Sequence, residues 1–204
     1  MNDAGSTLYD LIEELRMRSP EHLDLFAALS DDDFQIAFDS LLGKALAGME
    51  ESKNNFQLLG EPALSAVLRL AMLVPGLSVS LEQHSNGHAD LTFESYRLGI
   101  ARRIVGEAKI HDGPRYHIAG IKQLLGYMTG REIRGLMVVY MRKPNGAILM
   151  KNVRETMDAE LPEMQLGPTK MHPLKWAFDS LHSHSSGDST RISHVTCNLH
   201  VAET

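Results

Sequence analysis

Residues 87–127 read GHADLTFESYRLGIARRIVGEAKIHDGPRYHIAGIKQLLGY. Two apolar runs each carry an acid: Asp90 beside Leu91 and Phe93, and Glu107 after Ile104 and Val105. Side chains two residues apart on a strand share a face, so Glu107 and Lys109 project together. The helical pattern that follows puts Gln123 and Tyr127 one turn apart on one side. Two acids, a lysine and a glutamine carried by paired strands and a helix suit a divalent-metal phosphodiesterase site.

Working outward, residues 77–83 alternate (Leu77, Val79, Leu81) and predict a strand, and Ser85-Asn86-Gly87 predicts a hairpin turn into a second strand over 88–95. Residues 102–110 give a third strand, and Leu98-Gly99-Ile100 fits either strand or the turn between them. His111-Asp112-Gly113-Pro114 is a loop, followed by a helix over 115–128 with Ile118, Ile121, Leu124 and Leu125 toward the core. Residues 135–141 are continuously apolar, the pattern of a central strand. Upstream, Gly60-Glu61-Pro62 opens a helix whose stripe is Ala63, Leu64, Val67, Leu68 and Ala71, and Pro75-Gly76 ends it.

The flanks read less firmly. Residues 1–55 predict three helices: one capped by Ser6 with Leu8, Leu11, Ile12 and Leu15 on one face, one over 20–29 with Leu23, Phe26 and Leu29 inside, and one over 32–49 headed by Ser30 and three aspartates. Residues 50–55 read as a loop. The helices are open to three roles: a cap, a partner surface, or plain packing. After Asn145-Gly146 the pattern predicts a short strand over 147–150, helices over 153–160 and 173–181, a polar loop over 183–189 and an edge strand over 191–201. The expected division is an acidic helical extension, 1–55, and a domain over 56–204 with its core at 60–141.

A chain of 204 residues can bury a substantial core, and its formal net charge is −6. That total conceals an asymmetry. Residues 1–60 hold twelve acids against four bases, a net of −8, and residues 97–143 hold ten bases against three acids, a net of +7. The basic segment coincides with the acid-bearing strands and suits a polyanionic partner, although solvated surface charge explains it as simply. The single Cys197 excludes an intrachain disulfide framework and a thiolate zinc cluster. No run is long enough to span a bilayer, and no secretory pattern opens the chain, so no membrane contact and a cytoplasmic setting are expected.

The order helix, strand, strand, strand, helix, strand, with acids on the second and third strands, resembles the PD-(D/E)xK (restriction-endonuclease-like) nuclease superfamily over roughly residues 60–141. Asp90 in HADLTF and Glu107 with Lys109 in VGEAK carry the resemblance. Gln123 and Tyr127 in QLLGY are similar to the Q-x-x-x-Y helix of RecB-like members. Ala89 stands where the family often has proline before the aspartate. A second Glu-x-Lys, Glu51-Ser52-Lys53, lies in a polar run with no acid-bearing strand before it and is set aside.

The resemblance implies an α/β fold: an αβββαβ core with a central mixed sheet and an N-terminal helical extension. It implies a Mg²⁺-dependent nuclease, with Mn²⁺ as a substitute, in which Asp90, Glu107 and the Ala108 carbonyl hold the metal. Glu61 either supports a second metal or caps its helix. Lys109 would position or deprotonate the attacking water, Gln123 would orient it, and Tyr127 would touch phosphate or brace the helix. Arg102, Arg103, Arg115 and Lys122 are the candidate phosphate contacts. The ten histidines do not gather with cysteine; His88 is the one placed nearest the metal. Each residue also has a plainer reading: Asp90 as a turn acid, Glu107 with Lys109 as a surface ion pair, Gln123 and Tyr127 as an ordinary helix pair. DNA is favoured over RNA as substrate, in a homodimer or a larger complex, by analogy a defence or repair effector. The rivals are an inactive binding or scaffold protein on the same fold, and an RNA-cleaving nuclease.

Overall fold

The computed structural model describes residues 7–84 and 88–202. Thr7 starts helix α1 (Leu8–Arg18) with a capping box. Its hydroxyl accepts from the Asp10 amide at 3.2 Å, and Asp10 accepts from the Thr7 amide at 2.8 Å. Ser6, the expected cap, lies outside the described residues. Pro20 at the first turn opens α2 (Pro20–Ala27), and Ser30 with Asp33 repeats the capping box at the head of α3 (Asp31–Glu51). Two short helices follow, α4 (Lys53–Phe56) and α5 (Glu61–Ala71). Then come β1 (Ser78–His84), β2 (His88–Arg97), β3 (Ile100–Ile110), α6 (Pro114–Tyr127), β4 (Arg134–Met141), α7 (Gly146–Glu160), β5 (Lys170–Met171), β6 (Phe178–Ser183) and β7 (Ser189–Asn198).

The chain is therefore α/β, with one seven-stranded mixed sheet in the order β1-β2-β3-β4-β7-β6-β5. β1, β2 and β3 form an antiparallel meander. β4 lies parallel to β3 across the α6 crossover, and β7 lies parallel to β4. Every residue of β4 is buried, as its unbroken apolar run requires of a strand covered on both faces.

Each face of the sheet has its own apolar core. On one, Phe34, Phe38, Leu42 and Met49 of α3 join Leu64 and Leu68 of α5 against Leu91, Phe93, Ile104, Leu136 and Val138. On the other, Ile121 and Leu124 of α6 and Met150, Val153 and Met157 of α7 cover Val105, Met137, Val139 and Ile192. The result is a three-layer arrangement. Of the three roles open to the N-terminal helices, α3 serves packing. A buried ion pair fixes it: the Arg134 guanidinium of β4 binds both carboxylate oxygens of Asp39 and lies 5.4 Å from the Phe38 ring centroid. His172 meets the same carboxylate at 3.2 Å.

Several flanking expectations are corrected. Residues 50–55 are helical rather than a loop, because α3 runs on to Glu51 and α4 follows at once. Helix α1 buries none of its side chains, and on α2 it is Leu25 that is buried while Phe26 and Leu29 face outward. The expected strand at 147–150 is the first turn of the continuous helix α7. The expected helix at 173–181 is a turn leading into β6, where Phe178, Ser180 and His182 alternate inward at the strand period. β7 is an inner strand between β4 and β6, not an edge. The Ser85-Asn86-Gly87 turn lies outside the described residues; β1 and β2 on either side pair antiparallel. Among the described residues no helix is long and apolar enough to cross a membrane.

Candidate functional site

β3 and β2 pair from Arg97↔Ile100 as far as Leu91↔Gly106. Beyond that point the even-numbered amides of β3 turn to carboxylates. Ala108 N donates to Asp90 Oδ2 at 2.9 Å, and Ile110 N donates to Glu61 Oε1 at 2.8 Å. The next odd amide, His111 N, donates the other way, to Tyr140 O of β4 at 2.9 Å. Strand residues send amide and carbonyl to the same side, so the Ala108 carbonyl also faces the open edge. The fork between β2 and β3 thus draws in two acids from separate elements: Asp90 of β2 and Glu61 from the first turn of α5.

Glu107 stands between them. It is 2% exposed, its Oε1 lies 2.6 Å from Lys109 Nζ, and its Oε2 is buried with no hydrogen-bond partner. Burial pushes the Glu107 carboxyl up to about 7 against the hydrogen bond from Lys109, and the charges of Asp90 and Glu61 push the same way. Burial alone would lower the Lys109 ammonium. Its hydrogen bond to Glu107 and the charges of Glu107, Glu61 and Asp90 hold it above its ordinary range instead. The charges of Asp90 and Glu61 thus act on both groups, adding to burial at Glu107 and opposing it at Lys109.

Helix α6 closes the site from above. Gly120 lets it approach: a Cβ there would come within 2.4 Å of Met137 Cε and 3.3 Å of Lys109 Cγ. The Lys109 ammonium lies 5.8 Å from the Tyr116 ring centroid, and the Tyr116 hydroxyl donates to Glu61 Oε1 at 3.3 Å. The Tyr127 phenol is raised by burial and then by the charges of Glu107 and Asp90. Tyr116 was missed in the sequence, yet the spacing 116, 120, 123, 127 is one helical stripe and signals it.

Asp90, Glu107, Lys109, Ala108 and Glu61 are therefore brought together, and Tyr127 is half-buried at the end of α6. Gln123 and Lys122 are exposed on α6. Arg102, expected as a phosphate contact, is engaged within the fold. Its side chain is buried, with Nε 2.9 Å from Asp31 Oδ1 and an Nη donating to Leu29 O at 2.8 Å, which ties β3 to the head of α3. Arg103 lies between Glu94 at 3.6 Å and Glu132 at 3.9 Å. Arg115 makes a bidentate pair with Glu160 at 2.5 and 2.8 Å. The His88 side chain lies outside the described residues. A pocket of about 460 Å³ opens beside Glu61, lined also by His111, Tyr116, Arg142 and Lys143.

Behind α6 a buried hydrogen-bond chain joins helix to sheet. The Glu163 carbonyl can only accept, so His182 Nδ1 donates to it at 2.9 Å. His182 Nε2 then accepts from Ser180 Oγ at 2.7 Å, Ser180 Oγ accepts from His194 Nε2 at 2.7 Å, and His194 Nδ1 accepts from His117 Nε2 at 2.8 Å. Burial and the neighbouring His111 charge push His117 down to about 3, and burial likewise lowers His194 and His182. The three rings are neutral and each has one tautomer.

Among the described residues no group of three or more His, Cys, Asp or Glu side chains is gathered closely enough to hold a metal by itself. A Mg²⁺ site makes a smaller demand, because that ion keeps several waters and takes one or two carboxylates plus substrate oxygens. The donors at the fork are carboxylate and carbonyl oxygens, the set a hard cation prefers, and the bare buried Oε2 of Glu107 faces an excess of negative charge. Comparison with protein-family models, with characterised proteins and with solved structures returns no match, so the assignment of function rests on this geometry.

Proposed function

We propose that the chain is a divalent-metal-dependent phosphodiester hydrolase of the PD-(D/E)xK kind, with Mg²⁺ as cofactor and DNA favoured over RNA. The segment from α5 to β4 supports the reading in outline, since it runs helix, three antiparallel strands, crossover helix, parallel strand. One observation carries it: Asp90 and Glu61 converge on the free amides of β3 beside the buried Glu107–Lys109 pair.

Asp90, Glu107 and the Ala108 carbonyl are the residues that would hold the ion, with Glu61 able to contribute through water. The bound ion would neutralise phosphodiester charge and lower the pKa of a coordinated water. Lys109 carries the ammonium beside Glu107 and would offset charge growing on the phosphorane. Its cationic form is secured by the surrounding acids. Tyr116 would hold the lysine and Glu61 in place, and Tyr127 would brace the mouth. The pocket beside Glu61 would receive the flanking nucleotide.

A second reading, an inactive binding protein, is favoured by one feature: Glu107 is enclosed and already satisfied on one oxygen by Lys109. Two measurements separate the readings. Under the hydrolase reading, Mg²⁺ or Mn²⁺ binds calorimetrically and supports plasmid nicking, and Asp90→Asn, Glu107→Gln or Lys109→Ala each lowers the rate by about 10²-fold or more. Nicking that survives these substitutions, or no ion binding to the wild type, would favour the scaffold. Parallel assays with single-stranded DNA and RNA settle the substrate.

A further inference from the structure

At the end of β3 opposite the acids, apolar side chains that ought to be inside are outside. Phe26, Leu29, Leu73, Tyr96, Leu98 and Ile100 are between 47% and 79% exposed. They form one surface. Leu73, Gly76, Tyr96 and Ala101 line a single open groove of about 1040 Å³. The Phe26 ring lies beside it, 3.4 Å from where a Cβ on Gly76 would stand. The Leu29 carbonyl is tied to Arg102, which also lines the groove. Leu98 and Ile100 continue it along the β2–β3 turn. Single exposed apolar residues are ordinary, but a contiguous group of large ones marks an interaction surface.

The β2–β3 turn gives an independent sign. Leu98 and Gly99 both have positive φ, 50° and 82°, so a two-residue turn joins strands paired up to Arg97↔Ile100. Such turns favour asparagine before the glycine, and a leucine there is held in a strained conformation. The local fold gains nothing from this side chain, which is solvent-facing.

Charge selects the occupant. On the helical side of the apolar strip stand the exposed Asp24 and Asp32, with Asp31 paired to Arg102; the groove itself is lined by Arg69, Arg102, Arg103 and Arg131 against Glu94 and Glu132, a basic excess. A nucleic acid or an anionic membrane would be repelled by the acidic flank. A second copy turned by a two-fold axis sets each acidic flank against a basic groove, which makes the surface complementary to itself. We propose that this end is the interface of a two-fold homodimer, packed through Phe26, Leu29, Tyr96 and Leu98, with the acidic sites at the outer ends of the assembly.

The proposal does not depend on the hydrolase reading, and its test does not use activity. Sedimentation equilibrium of the full chain over micromolar concentrations should show a reversible monomer–dimer equilibrium weakened by salt. Leu98→Asn suits the turn and removes the apolar contact, so it should leave the monomer at least as stable to denaturant while weakening the dimer about 10-fold or more. Tyr96→Ser should weaken it likewise. A wild type that stays monomeric, association that continues past the dimer, or a dimer untouched by both substitutions would overturn the proposal.

Discussion

Glu107 is the residue on which the chemistry turns, and its protonation has a thermodynamic signature. Its carboxyl stands at about 7 in the folded chain against an ordinary 4.5. A raised pKa means that the folded state binds the proton more tightly than the unfolded state. This group's favourable contribution is therefore complete below about pH 4.5 and is lost as pH rises through 7. A divalent cation at the proposed site would bind the ionised form and reverse that loss. The melting temperature should therefore rise more on adding Mg²⁺ at pH 8 than at pH 5.5, measured by differential scanning fluorimetry. Glu107→Gln should abolish the difference and stabilise the metal-free protein at pH 8. Equal shifts at both pH values would place the ion elsewhere. Lys109 needs no such tuning, because the acids around it already favour its cation.

At the scale of elements, two buried polar ties hold helices to the sheet, and each has a measurable cost. The chain from His117 through His194 and Ser180 to His182 joins α6 to β6 and β7 with all rings neutral. A depressed histidine pKa gives stability that is full above about pH 6.5, the unfolded value, and lost as pH falls toward about 3. Urea midpoints should decline over that interval, and His117→Phe should make the decline shallower. On the opposite face, Asp39→Ala strands the buried Arg134 charge, and denaturant unfolding should show a loss of about 3–5 kcal/mol. These ties also mark the limit of what the sequence discloses. The αβββαβ segment was legible because its strands alternate, its central strand is uniformly apolar and its acids interrupt apolar runs. The Glu107–Lys109 pair followed from strand periodicity alone. Of the C-terminal strands, β7 was legible from its alternation but not its inner place, and β6 was not legible: His182, His194 and Ser180 look polar in sequence, and only partners distant in the chain let such residues be buried. Residues 147–150 misled for a related reason, since a short apolar run fits a strand or one turn of a helix.

At the scale of the molecule, the contrast between an acidic first third and a basic middle is partly internal. Arg102 pairs with Asp31 and Arg134 with Asp39, so part of the positive charge that seemed available to a polyanion holds the helical layer to the sheet. Lys122, Arg131 and Lys143 stay at the surface. The order of the strands has a further consequence. β7 comes after every other strand in the chain and yet lies between β4 and β6. Until β7 is made, β4 has no neighbour on that side and β6 pairs only with the two-residue β5. The layer beneath α6 and α7 is complete only when Ile192 and His194 take their places, so this half of the sheet closes around the strand made last of the seven.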